Sequence, residues 1–387
     1  MLASAMPDDD EKYQTPGQLV SDLLTDRGWS NRVLAIVLQA DETGLNKIIG
    51  GKRPVNAELA IKIGSVLGVA PKRLLDLQSK YDLAHAEIKV RPDPGAEIRG
   101  RLFGDLPITE MLRRGWLTGP ESVRDIEAVS KALTRFFGVR SVNEIEILPH
   151  AAKKTRSASP ITPTQLAWLY RVKSIAEEML VAEYSPGSVR NAVSRLSKLL
   201  ASAEEARKVP RILAEAGIRF TIVESLPGAK IDGVCLWLDD SSPVVGMTLR
   251  HDRIDNFWFV LRHELEHIAQ LHGRAAIMLD TELEGARAGV GGDVTDEERI
   301  ANSAAAEFCV PQKALDSFIA RKGPVFTERD IIGFARVQQL HPGLVAGQLQ
   351  HRTGRYDRFR DHLVKIRSIV RQGSMVDGWG DVAPTET

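Results

Sequence analysis

RHELEHIAQLHG, residues 262–273, decides how the C-terminal half of this chain is read. Inside it, HELEH matches His-Glu-x-x-His, a pattern with a metal-binding mechanism behind it. Two readings compete: a helix that holds an ion and serves hydrolysis, or a charged helix turn that matches by composition. His263 and His267 are four residues apart, so on a helix their rings stack on one face and can share one tetrahedral ion. Glu264 lies about 100° further round the axis. Its carboxylate therefore stands beside the ion, where it can take a proton from bound water, whose pKa zinc lowers to about 7.

A third protein ligand is needed, with the fourth position left for water. The segment ERIAN offers Glu298, 31 residues after His267, in the manner of a gluzincin. Asn302, one turn on, can hydrogen-bond a ligand. Glu297 and Glu307 compete, but Glu297 points about 100° away and Glu307 lies more than two turns along. Glu298 is therefore the expected ligand.

The context favours a rigid site. FWFVL precedes the motif and can bury one helix face, with Asp255 as the expected cap and Gly273 as the stop. Before it, IRFTIVES, DGVCLWLD and PVVGMTLR read as three strands of a small antiparallel sheet, whose edge can take an extended peptide by strand addition. Residues 274–294 read as a loop, and TDEERIANSAAAEFCVP as a helix from Thr295 to Pro311. His272, five residues past His267, would face about 140° away on a continued helix and reads as a helix-end histidine. His341 in LHPGLV is a candidate pocket residue for the tetrahedral intermediate, or else a turn residue before proline.

Residues 17–87 read as five short helices with Gly- or Ser-marked turns, a helix-turn-helix arrangement. The helix opening at Asp41 would present Glu42, Thr43, Asn46 and Lys47 to base edges, with Lys52 and Arg53 on phosphates. From 12 to 90 there are 11 Lys+Arg against 8 Asp+Glu. That excess is modest, and a helical module for protein contacts or dimerisation is the alternative.

Charge as a whole is balanced, 51 Lys+Arg against 51 Asp+Glu, so no global field draws the chain to nucleic acid or lipid. Two cysteines, Cys235 and Cys309, are too few for a disulfide framework and read as buried apolar groups. No apolar run reaches membrane-spanning length, and the acidic N-terminus does not read as a secretory signal. A cytoplasmic protein is expected. PDPGAEIRGRLFGD reads as a linker and LPHAAKKTRSASPITPT (148–164) as an exposed loop with solvated charge.

Two stretches resemble known families. GGKRP, ELAIKIGSVLGVAP and LLDLQSKYDLAHA look like an Xre-type helix-turn-helix of the HigA antitoxin subgroup. DRIDNFWFVLRHELEH, ERIANSAAAEFCVP and HPGLVAGQLQHR look like the ImmA/IrrE metallopeptidases, and RRGWL followed by FFGV looks like the connecting region of such fusions. The resemblance implies His263, His267 and Glu298 as zinc ligands, Glu264 as catalytic base, and a repressor as substrate. Glu266 departs from it, standing where a small residue is common.

The expected fold is multidomain: a tail (1–15), an all-α helix-turn-helix domain (16–90), a helical connector (91–215), an α+β zincin-like metallopeptidase domain (216–373) and a tail (374–387). The expected function is a transcription regulator with a Zn2+-dependent endopeptidase. Its partners would be a double-stranded DNA operator and a regulatory protein such as a repressor or toxin–antitoxin component, with a homodimer suited to operator reading. The rivals are a non-enzymatic HigA-like antitoxin whose metal domain senses a ligand or partner, and a metal-stabilised interaction module.

Overall fold

The computed structural model describes residues 13–89, 106–142, 144–145, 152–154, 161–274, 277–281, 283 and 295–385, with the single positions Ala96, Gly100 and Gly104. The chain divides into two units, Met1–Ala96 and Glu97–Thr387. Most of the expected N-terminal tail and of the linker lies outside the described residues.

Among the described residues the first unit has the helices α1 (Pro16–Asp26), α2 (Asn31–Leu38), α3 (Glu42–Ile49), α4 (Ala57–Leu67) and α5 (Pro71–Lys89). Each of the first four starts where a short polar side chain bonds an otherwise unpaired amide. Thr15, Ser30, Asp41 and Asn56 fill these positions. Leu19, Val20, Leu34, Leu45, Ile48, Ile63 and Leu74 form the core. Gly17 is needed because a Cβ there would strike the Ile49 carbonyl at the end of α3.

The second unit carries α6 (Ile108–Arg113), α7 (Ile126–Phe137), β1 (Ala152–Lys154), α8 (Pro163–Glu177), α9 (Pro186–Ser197), α10 (Val209–Glu215), β2 (Arg219–Val223), β3 (Ile231–Trp237), β4 (Pro243–Met247) and α11 (Ile254–Ala269). After α11 come β5 (Ile277–Thr281), α12 (Asp296–Cys309), α13 (Gln312–Lys322), α14 (Glu328–Gln338), α15 (Pro342–Thr353), α16 (Arg367–Val370) and β6 (Met375–Asp377).

The sheet corrects the sequence reading. It is mixed and six-stranded, in the order β1-β5-β3-β4-β2-β6. β3 pairs antiparallel with β4 and β5, whereas β2 runs parallel to β4 and β6, and β1 parallel to β5. Three strands thus arise outside the expected set: β1 in the segment expected as exposed loop, β5 in the loop after the motif helix, and β6 in the expected tail. Burial is the reason. Val234, Leu236 and Val244 pack with Trp168 and Val172 of α8 on one face. Phe220, Ile222, Cys235, Val245 and Met247 pack with Phe257, Trp258, Leu261 and Leu265 of α11 on the other. A sheet covered on both faces has apolar strands throughout, and so loses the alternation that would mark one face and set strand order. The helices expected as a connector share this core.

Asp377 ties the end of the chain to the second unit. Its carboxylate accepts from Trp116 Nε1 at 2.6 Å, from Arg171 Nη2 at 2.6 Å and Nε at 3.0 Å, and from the Ala383 amide at 3.1 Å. Among the described residues no helix is long and apolar enough to cross a membrane.

Candidate functional site

α11 is pinned through its apolar face: Phe257, Trp258, Leu261, Leu265 and Ile268 are fully or almost fully buried. At about 1.5–3 kcal/mol for each such side chain, this face holds the helix firmly enough to orient its polar groups. The helix begins two residues earlier than expected. Arg253 stands at the cap, and Asp255 does not cap but pairs with Arg253 while facing Gly347 of α15.

α12 lies along α11. Thr295 caps it by accepting from the Glu298 amide at 3.3 Å. A Glu at this third position often reaches back to the cap; here its side chain turns inward to the histidines instead.

Among the described residues, one group of side chains is arranged to hold a metal ion: His263, His267, Asp280 and Glu298, all fully buried. His263 Nε2 lies 3.0 Å from His267 Nε2 and 3.6 Å from a Glu298 oxygen, and His267 Nε2 lies 3.2 Å from the other Glu298 oxygen. Asp280 Oδ2 lies 3.4 Å from His263 Nε2 and 3.9 Å from His267 Nε2. Metal–ligand bonds of about 2.0–2.2 Å in a tetrahedron give ligand separations of roughly 3.3–3.5 Å, so these spacings scatter about the required edge.

Electrostatics point the same way. Glu264, Asp280 and Glu298 are three buried carboxylates against two imidazoles. Neither oxygen of Glu264 or of Glu298 has a hydrogen-bond donor. Buried like charges of this kind need a cation or protons. Without a cation, burial, then Asp280 and then Glu298 push the Glu264 carboxyl well above the usual carboxylate range. Burial opposes protonation of His267, but Glu298 and Asp280 outweigh it and raise that ring. A divalent ion would reverse the local logic and favour ionised carboxylates.

Glu264 lies against β3. A Cβ on Gly233 would fall on its Oε1 and come within 2.9 Å of its Cδ, so glycine makes room for the carboxylate beside the two histidines.

Two residues escaped the sequence reading. Asp280 sits on a strand read as loop; its one signal was a lone acidic residue closing the apolar run IML. His272 was assigned to a continued helix, but α11 ends at Ala269. Leu271 (φ 60) and Gly273 (φ 83) then take left-handed conformations that swing the ring back under the helix. His272 Nδ1 lies 3.0 Å from His267 Nδ1, and its carbonyl accepts from Trp237 Nε1 at 2.8 Å. Burial lowers the His272 pKa; a neutral His272 ring accepting from His267 Nδ1–H would leave His267 Nε2 for an ion.

The remaining candidates divide. Glu297 and Glu307 are exposed and take no part. Asn302 lies one turn from Glu298, its Oδ1 buried without a hydrogen-bond partner. His341 is not brought to the cluster. It caps α15, its Nδ1 accepting from the Gly343 amide at 3.0 Å, and Gly343 packs on Ile254 at the opposite end of α11. Glu266 points away from the ion site to Arg262 (2.6 Å) and Gln270 (2.7 Å). Cys235 and Cys309 are buried and form no disulfide.

In the first unit α2 and α3 meet as a helix-turn-helix, with Gln39 left-handed in the turn. Glu42, Thr43, Asn46, Lys47, Lys52 and Arg53 are all exposed, and Asn46 Oδ1 accepts from Asn31 Nδ2 at 2.8 Å.

No protein-family model matches the chain. The N-terminal region is similar to the helix-turn-helix-type transcriptional regulator YddM of Escherichia coli K12, 31% identical over 75 residues, which are 19% of this chain and 80% of YddM. Among solved structures, antitoxin HigA of Pseudomonas aeruginosa with the higBA promoter is 28% identical over 19% of this chain and 83% of its own, with a TM-score of 0.19. PA4674 of the same organism, in complex with its operator DNA, is 28% identical over 20% of this chain and 96% of its own, with a TM-score of 0.18.

Proposed function

Because the chain belongs, through its N-terminal region, to the helix-turn-helix-type transcriptional regulators, we propose that it is an operator-binding regulator whose second unit is a zincin-like, zinc-dependent endopeptidase acting on a regulatory protein. The observation that carries the hydrolytic half is the convergence of His263, His267 and Glu298 at tetrahedral spacing, with the Glu264 carboxylate alongside. Zinc held there supplies Lewis acidity toward a peptide carbonyl and acidifies water. His263 and His267 present Nε2, kept free in His267 by the bond to His272, and Glu298 presents an oxygen. Glu264 takes the proton of the attacking water and delivers it to the departing amide nitrogen.

For the regulatory half, the exposed polar residues of α3 suit base edges, and Lys52 and Arg53 suit phosphates. The partner is double-stranded operator DNA. A homodimer matches the twofold symmetry of such sites.

One observation favours a second reading, a HigA-like regulator whose metal domain senses a ligand without cutting: every side chain around the ion position is fully buried. The readings separate on the full chain. Wild type, His263→Ala and Glu264→Gln are compared for zinc content and for cleavage of unfolded casein and of the chain itself. The hydrolase reading expects equimolar zinc in wild type and Glu264→Gln, none in His263→Ala, and a loss of cleavage of about 10²–10⁴-fold in Glu264→Gln. Zinc without any cleavage sensitive to Glu264, in wild type and in a zinc-loaded Asp280→Ala alike, leaves the sensor; a wild type that takes up no zinc removes both.

A further inference from the structure

A catalytic zinc site keeps three protein ligands and one open corner, whereas a structural site closes all four. Asp280 bears on that distinction. Its Oδ2 sits 3.4 Å and 3.9 Å from the two imidazole nitrogens, the first inside and the second 0.3 Å beyond the 3.0–3.6 Å spanned by the other ligand spacings. β5 delivers it there. This strand pairs antiparallel with β3 and sets Asp280 across from Gly233, the residue against which Glu264 lies, beside a shift of register at Ile231 and Gly233. The chain is held just beyond by the Leu283 amide donating to Asp232 at 2.8 Å. β5 thus covers this side of β3. With β4 on its other side, β3 has no free edge.

We infer that Asp280 is a fourth protein ligand, so that the centre as folded is closed, and that water and a peptide reach it only when β5 withdraws this carboxylate. The inference rests on the metal-binding part of the proposed function. It turns the complete burial of the site from an objection to hydrolysis into a latent state.

Cobalt(II) reports the distinction without any activity assay, since its visible spectrum changes when a fourth ligand is lost or an anion enters an open corner. The full-length wild type, Asp280→Ala and Asp280→Asn are loaded with cobalt, tested for stoichiometry, and titrated with thiocyanate; melting curves establish that the variants are folded. Wild type is expected to hold cobalt in equimolar amount, with a spectrum that thiocyanate leaves unchanged. The variants should either shift their bands with thiocyanate or lose cobalt while remaining folded. A wild-type spectrum that responds to thiocyanate as strongly as the variants do overturns the assignment of Asp280 while leaving the metal site standing. So does a cobalt-loaded Asp280→Ala that stays as silent as wild type. A wild type that takes up no cobalt removes the metal reading itself.

Discussion

Replacing His272 with alanine tests how the proposed metal centre is built. The ring makes one specific contact with the cluster, Nδ1 to His267 Nδ1 at 3.0 Å, while its backbone is held independently by Trp237 Nε1 at 2.8 Å. The substitution therefore removes the contact and leaves the turn. His267 Nδ1–H then loses its acceptor in a buried site, which costs about 1–3 kcal/mol, and the imidazole is free to adopt the tautomer that points a hydrogen at the ion. Removing such an outer partner weakens metal binding about 10–100-fold, which at about 1.4 kcal/mol per tenfold matches the hydrogen-bond cost. Zinc affinity is read by competition with a chromogenic chelator on the full chain. His272→Ala is expected to bind zinc about 10–100-fold more weakly, and His272→Gln, which restores an acceptor, to recover part of the loss. An affinity within about threefold of wild type, against the 10–100-fold expected of an outer partner, refutes the reasoning. Equal losses in both variants refute it too, since they make the ring a packing element.

Two further outcomes follow from other parts of the molecule. Asp377→Ala strips the counterion from Arg171, both side chains being 1% exposed. Breaking a buried pair costs about 3–5 kcal/mol. With an unfolding entropy of about 2.1 cal/mol/K per residue over the roughly 290 residues of the second unit, this lowers Tm by about 5–8 °C; a calorimetric shift below about 2 °C contradicts the stabilising role assigned to the pair. Lys47→Ala and Arg53→Ala should each weaken operator binding by gel shift, and loss of the phosphate contact proposed for Arg53 should reduce the salt slope by about one. Unchanged shifts would remove α3 from the groove.

His263, Glu264 and His267 were legible because helical spacing is a local property: residues four apart share a helix face, and the next residue stands about 100° round, whatever the rest of the chain does. The same holds for the helix starts at Asp41 and Thr295, each a short polar side chain ahead of a helical run, and for the five helices read in residues 17–87. Glu298 was legible at one remove, since its neighbours Glu297 and Glu307 face away on the same helix. Strand order, by contrast, was not local. β2, β3 and β4 were found as strands, but only the covering of both sheet faces by α8 and α11 determined that β4 lies between β2 and β3. Asp280 and His272 belong to this second class. One reaches the cluster through a strand pairing across the sheet, the other through two left-handed residues that end a helix early. Sequence alone determined which groups could do the chemistry; tertiary packing decided how many of them face the ion and whether any corner stays open, because coordination depends on distances between elements that no local pattern encodes.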